Sequence, residues 1–249
     1  MRYTYSKHHF MEFNLLTRKR MRFNMQVIWQ SLYWYFNFSL SLRDVSQMLA
    51  ERGIEVHHSS VFRWISKFTS ELEKMFRKHK LPVNTSWRVD ETYIKIKGKD
   101  RYLYRAVDTR GNTIDFLLTH RRNFKAATRF FNKSIKSSGL PSKVNTDKSG
   151  ANKAALDSVN ESNRNRIKTS DGKYLNNMVE QDHRFIKKRI RPMLGFKTFK
   201  SARVILAGIE ILRMIAKGQC GFAPLFHRTL SDTFWILVKS IRNPVSKAT

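Results

Sequence analysis

The chain has 249 residues, with 48 Lys and Arg against 19 Asp and Glu, a formal charge of +29. An excess of that size repels itself in a compact protein and points to a polyanionic partner, nucleic acid before an anionic membrane. The single cysteine, Cys220, excludes a disulfide framework and a cysteine-rich zinc module, and a reduced cytosolic setting is the default expectation.

The length accommodates a small domain beside a larger one with its own core. Residues 1–22 read as a basic tail without the apolar stretch and small-residue site of a secretory signal. From 23 to 80 the period is helical: Val27, Ile28, Leu32, Tyr35 and Phe36 recur at steps of three and four. "SLSLRDVSQMLAERGIEVHHSSVFRWISKF" then predicts two short helices around a turn. Ser41 caps the first, Gly53 stops it, and Ser59 or Ser60 opens the second. Val45, Met48 and Leu49, then Val61, Trp64, Ile65 and Phe68, face inward. That is the pattern of a helix-turn-helix, whose second helix enters the major groove of DNA. His57, His58, Ser59, Ser60, Arg63 and Lys67 are then the residues expected to meet phosphates or base edges. An ordinary helical hairpin with a solvated basic face gives the same pattern.

After Pro82 the period becomes extended. "WRVDETYIKIKG", "RYLYRAVD" and "NTIDFLLTH" predict an antiparallel meander on short turns. A helix over 123–137, a short strand at "KVNTD" and a buried helix at "SARVILAGIEILRMIA" follow. This order predicts an α/β domain with a mixed sheet and flanking helices. Val204 to Ala216 contains Glu210 and Arg213, so it falls short of the roughly 18 uninterrupted apolar residues of a membrane helix.

Acids are scarce, which makes their places informative. Between Phe116 and Thr146 there is none, until Asp147 ends a predicted strand. Asp90 sits inside the first strand, where a carboxylate has low propensity and needs a partner. Glu180 opens a helix that runs into Lys187, Lys188 and Arg189 before Pro192 ends it. Three carboxylates brought together repel one another unless a cation sits between them, and hard oxygen ligands suit Mg2+. For any one of these acids, a surface charge or an ion pair with a neighbouring cation is the plainer explanation. On a helix Glu180, Arg184 and Lys187 share a face, with His183 near it, whereas Asp182 lies roughly 200° away and cannot join Glu180 at one metal. Asp108 precedes "TRGN" and reads as turn chemistry. Arg121, Arg122, Lys125 and Arg129 are expected to track DNA backbone, and Trp29, Trp64 and Trp87 to be core.

The stretches "LSLRDVSQMLAERGIEVHHSSVFRWI", "WRVDETYIKIKGKDRYLYRAVD", "NTDKSGANKAAL", "YLNNMVEQDHRFIKKRIRPMLGFKTFKSA" and "LAGIEILRMIAKGQ" together resemble the bacterial insertion-sequence transposases of the IS6 (IS26/IS240-like) family, over roughly 24–219. The resemblance implies a DDE recombinase with a ribonuclease-H-like catalytic domain at 85–220, preceded by the helix-turn-helix region at 23–80. It places the triad on Asp90, Asp147 and Glu180 as metal ligands, and a catalytic basic residue on Lys187, with two Mg2+ ions for which Mn2+ can substitute. It implies binding of terminal inverted repeats, cutting of 3′ ends and joining to target DNA. Double-stranded DNA is then the partner, with no membrane, a homodimer or higher assembly on DNA, and a bacterial cytoplasmic, nucleoid-associated location. Arg184 and Lys188 join the presumed DNA contacts. Residues 221–249 diverge from the family, so a DNA-binding regulator or decayed copy without catalysis is the alternative.

Overall fold

The computed structural model describes residues 22–147, 150–162, 166–172, 177–193, 195–221 and 229–240. The basic tail read at 1–22 therefore lies, but for Arg22, outside the described residues, as do 222–228 and 241–249 of the divergent C-terminal segment.

Three helices come first: α1 (Met25–Asn37), α2 (Leu42–Ala50) and α3 (His58–His79). Ser41 caps α2 as expected, in a reciprocal box: its Oγ accepts from Asp44 N at 3.1 Å, and Asp44 Oδ2 accepts from Ser41 N at 2.7 Å. α3 departs from expectation at both ends. His57, not a serine, is the N-cap, its ring Nδ1 accepting from Ser59 N at 3.4 Å. The helix is also not short. It runs 22 residues because Leu72 and Phe76 continue the buried stripe of Val61, Ile65, Phe68 and Thr69.

A five-stranded sheet follows, in the order β3-β2-β1-β4-β5. β1 (Ser86–Ile96), β2 (Lys99–Asp108) and β3 (Thr113–Thr119) form the antiparallel meander, while β4 (Lys143–Asn145) and β5 (Lys168–Ser170) run parallel to β1. The β1–β2 turn is Lys97–Gly98, both left-handed at φ 50° and 72°, the two-residue geometry that suits the twist of a hairpin.

Each face of the sheet carries its own core. α4 (Phe124–Ser138) and α5 (Gly150–Glu161) cover the face of Trp87, Val89 and Tyr104 with Phe130, Phe131 and Leu156. Ile94, Ile96, Leu103 and Leu118 face the other way, into a larger core built by α1, α2, α3, α6 (Asn177–Ile190), α7 (Phe199–Ala216) and α8 (Leu230–Ser240). α7 is buried nearly all round, and α8 gives part of the divergent segment a place in this core through Phe234, Leu237 and Val238. The packing is continuous across 80–85: Arg77 near the end of α3 meets Asp115 on β3 at 3.1 Å, and Lys133 reaches the same carboxylate at 2.7 Å.

α1 crosses α7 at Gly208, where an added Cβ would collide with the Phe36 ring, and Phe36 is itself buried. Gly208→Ala is therefore expected to lower the denaturation free energy by about 1–3 kcal/mol, because a packed core accommodates an added methyl only by moving side chains off their rotamers. An unchanged urea midpoint would contradict that close approach.

Candidate active site

The site forms where β4 ends beside β1. In the parallel pairing Arg88 lies opposite Asn145, and continuing that register brings Asp147 level with Asp90. Alternation along β1 then sends Asp90 and Glu91 to opposite faces. Asp90 turns toward α6, with its Oδ2 3.5 Å from His183 Nδ1. Glu91 turns toward α5, its Oε1 accepting from Asn152 Nδ2 at 3.0 Å. The same amide reaches Asp147 Oδ1 at 3.3 Å. Arg122, in the connection between β3 and α4, donates to Asp147 Oδ2 and stands 3.4 Å from Glu91 Oε2.

Electrostatics mark these acids. Burial pushes the Asp90 carboxyl up to about 6, with Asp147 and Glu180 adding repulsion, and pushes Glu91 up to about 7 against the pull of Arg122. Burial, with Arg105 and Lys187 nearby, pulls His183 down to about 3, so it faces Asp90 as a neutral imidazole. His183 is buried, and its Nε2 has no hydrogen bond among the described residues.

One oxygen from each of Asp90, Glu91 and Asp147 lies within 4.8 Å of the others. Glu91 Oε2 is buried, with no hydrogen bond among the described residues. A close set of hard oxygen donors whose charged forms oppose one another fits a divalent cation. Thus Asp90 and Asp147 come together, joined by Glu91, which the sequence pattern did not single out. Its signal was in plain view, a second carboxylate directly after Asp90 inside a strand.

Glu180 stands apart from that trio. Its side chain is 52% exposed at the start of α6, and Arg184 lies 3.7 Å away. It is nonetheless near enough to Asp90 to raise that carboxyl. Lys187 and Lys188 are exposed further along the helix. Asp182 is buried instead and held by Lys217, by Arg213 at 3.2 Å and by Arg105 at 3.6 Å. Burial opposes its ionisation, but these cations outweigh it and hold its carboxyl below the usual range. Asp108 closes its turn, accepting from the backbone of Arg110 at 2.8 Å and of Asn112 at 2.9 Å.

Arg63 and Lys67 are exposed on α3, with His58, Ser59 and Ser60 half-buried at its start. The His57 and His58 rings lie 4.0 Å apart.

A meander followed by two parallel strands, with acids at the carboxyl end of β4 and in the neighbouring β1, is a ribonuclease-H-like arrangement carrying its carboxylates at the edge where open α/β sheets place their chemistry. Residues 84–219 match the DDE domain of IS240-type transposases. The chain is 40% identical over 197 residues to the transposase for insertion sequence-like element IS431mec of Staphylococcus aureus, covering 79% of this chain and 87% of the relative. It is 39% identical, over the same shares, to the Staphylococcus aureus transposase for insertion sequence element IS257 in transposon Tn4003. Among solved structures, the HTLV-2 integrase catalytic core domain in complex with magnesium aligns at a TM-score of 0.41 and 23% identity, over 53% of this chain and 86% of that one. The catalytic core domain of BIV integrase aligns at 0.40 and 14%, over 66% and 99%. The chain belongs to the IS6 (IS26/IS240-like) family of insertion-sequence transposases, and it is a DNA transposase of the DDE type.

Proposed function

We propose that this transposase binds the terminal inverted repeats of its insertion sequence through residues 23–80, cuts the DNA 3′ ends and joins them to target DNA by metal-dependent transesterification at residues 85–220. The observation that carries the reading is the convergence of Asp90 and Asp147, with Glu91, on central β1 beside the carboxyl end of β4. On this reading Asp90, Asp147 and Glu180 hold Mg2+, two ions with Mn2+ able to substitute. Bound there, the metal supplies Lewis-acid stabilisation of the attacking and leaving oxygens at phosphorus.

The chain's own residues do the rest. Neutral His183 braces the Asp90 carboxylate from α6, its Nδ1 3.5 Å from Oδ2. Asn152 and Arg122 fix the two oxygens of Asp147. Exposed Glu180 closes the site from α6, and exposed Arg184, Lys187 and Lys188 on the same helix line the path of the phosphodiester, with Lys187 as the catalytic basic residue. His58, Ser59, Ser60, Arg63 and Lys67 present the start of α3 to the major groove. Two ends must be handled together, so the working form is a dimer or larger assembly on DNA, in the cytoplasm with the nucleoid. Among the described residues no helix is long and apolar enough to cross a membrane.

The test is a strand-transfer assay in Mg2+ on DNA bearing the element's terminal repeats. Wild type is expected to give joined product and Glu180→Gln to lose it about a hundredfold or more, with repeat binding unchanged. Arg63→Ala is expected to do the reverse, weakening repeat binding by about tenfold while metal-dependent nicking of already bound DNA persists. Binding without cleavage by wild type would instead identify a regulator or a decayed copy.

A further inference from the structure

The carboxylate edge continues into a second surface. Trp87, Val89, Glu91, Tyr93 and Lys95 share one face of β1. The α4 and α5 layer buries Trp87 and Val89 and encloses the Glu91 side chain, but Tyr93 is 53% exposed and Lys95 is open to solvent. Tyr93 pairs in register with Tyr102 on β2, and their rings lie 5.2 Å apart at 54°. Lys95 stands exposed on this face opposite Asp100, and Lys97 is exposed in the turn, whereas Lys99 and Arg101 pair with Ile96 and Ile94 on the other face. Arg122, which spans Glu91 and Asp147, lies within electrostatic reach of Tyr93.

A cross-strand tyrosine pair stabilises a hairpin by roughly 0.2–1 kcal/mol, and that alone would explain the contact between the rings. It does not explain why the outer ring is left in water, with Lys95 next along its face and Arg122 within electrostatic reach, two residues along β1 from Glu91. Two residues of extended strand span about 7 Å, close to two steps of a DNA strand. Aromatic rings accept a base only by its face, so they select bases that are not already stacked in a duplex, while cations follow the backbone. We propose that Tyr93 and Tyr102 form a stacking platform for unpaired nucleotides about two steps from the phosphodiester that the carboxylates engage. The proposal rests on the catalytic reading above for what lies at that phosphodiester.

The probe is a duplex oligonucleotide with an unpaired flank carrying 2-aminopurine, titrated with the full metal-free chain. Wild type and Tyr93→Phe are expected to quench the fluorophore and to bind this DNA on the order of tenfold more tightly than Tyr93→Ala. On the fully paired duplex the three are expected to bind alike. Equal binding of the frayed DNA by wild type and Tyr93→Ala would overturn the platform. So would a drop in sedimenting mass on Tyr93→Ala, since the rings would then join two copies of the chain. Tyr93-dependent quenching without Mg2+-dependent cleavage of the same oligonucleotide would leave the platform standing and remove the catalytic reading.

Discussion

Asp90→Asn and Asp147→Asn are each expected to reduce strand transfer on the order of a thousandfold, while the metal-free variants melt no lower than wild type. Ordinary core substitutions do not separate activity from stability in that way. Burial pushes Asp90 up to about 6 from an ordinary value of 3.8, and Asp147 and Glu180 repel it further, so its charged form opposes folding at neutral pH. The sign follows from linkage. A carboxyl whose folded value is raised adds stability below its unfolded value and loses it as pH rises through the folded one. Asp90 and Glu91, the latter pushed up to about 7, should therefore make the metal-free protein less stable as pH climbs from about 4 to about 7. Mg2+ reverses the trend, because it binds the deprotonated ligands and stabilises only the folded chain. The Tm gained from saturating Mg2+ is expected to grow from about pH 5 to about pH 7.5 in wild type and to vanish in either variant. A variant that kept the full metal-induced gain would show that its carboxylate is not a ligand.

Much of the fold was readable because hydrophobic period and punctuation agree. Ser41 with Asp44 three residues on, the alternation of β1, and Asn123 capping α4 are local signals with local causes. α5 and β5 escaped for physical reasons. Only Ala155, Leu156, Val159 and Asn152 of α5 are buried, a narrow stripe among polar residues. β5 is Lys168–Ser170, three polar residues recognisable only by their pairing with β4. α3 outruns the short helix expected of a helix-turn-helix, although Leu72 and Phe76 carry the spacing of Val61, Ile65 and Phe68 onward.

The site divides similarly. Asp90 and Asp147 stand out in sequence because carboxylates in and after strands need a reason, and the structure brings them together. Arg122 and Asn152 carry no such mark. They reach Asp147 from a loop and from α5, and nothing in a linear pattern announces that convergence. The angular argument that set Asp182 apart from Glu180 agrees with their surroundings, one carboxylate buried among three cations and the other at the surface.

Arg105→Ala is expected to destabilise the fold by about 3–5 kcal/mol, a large share of the roughly 5–15 kcal/mol that holds a domain together. Arg105 is fully buried on β2, donating to Glu210 of α7 and lying 3.6 Å from Asp182 of α6. Glu210 is also fully buried, and its other oxygen, Oε1, has no hydrogen bond among the described residues. Without Arg105 it must be protonated or stay as an uncompensated charge, and protonation becomes harder as pH rises, so the loss should be larger at about pH 8 than at about pH 6. Asp182 fares better, because Arg213 and Lys217 remain. The pair is therefore separable: Arg105→Met with Glu210→Met removes both buried charges and should recover most of the loss, since apolar replacements of buried ion pairs are often neutral or stabilising. Urea midpoints of Arg105→Met, Glu210→Met and the double variant close the cycle. An Arg105→Ala loss under about 1 kcal/mol would mean that the pair contributes little. Asp182 also fixes α6, which carries His183 to Asp90 and presents Glu180. If its two remaining cations suffice to hold that helix, the double variant will transpose at near wild-type rates, and if Arg105 sets the helix position, it will fold well and join DNA poorly.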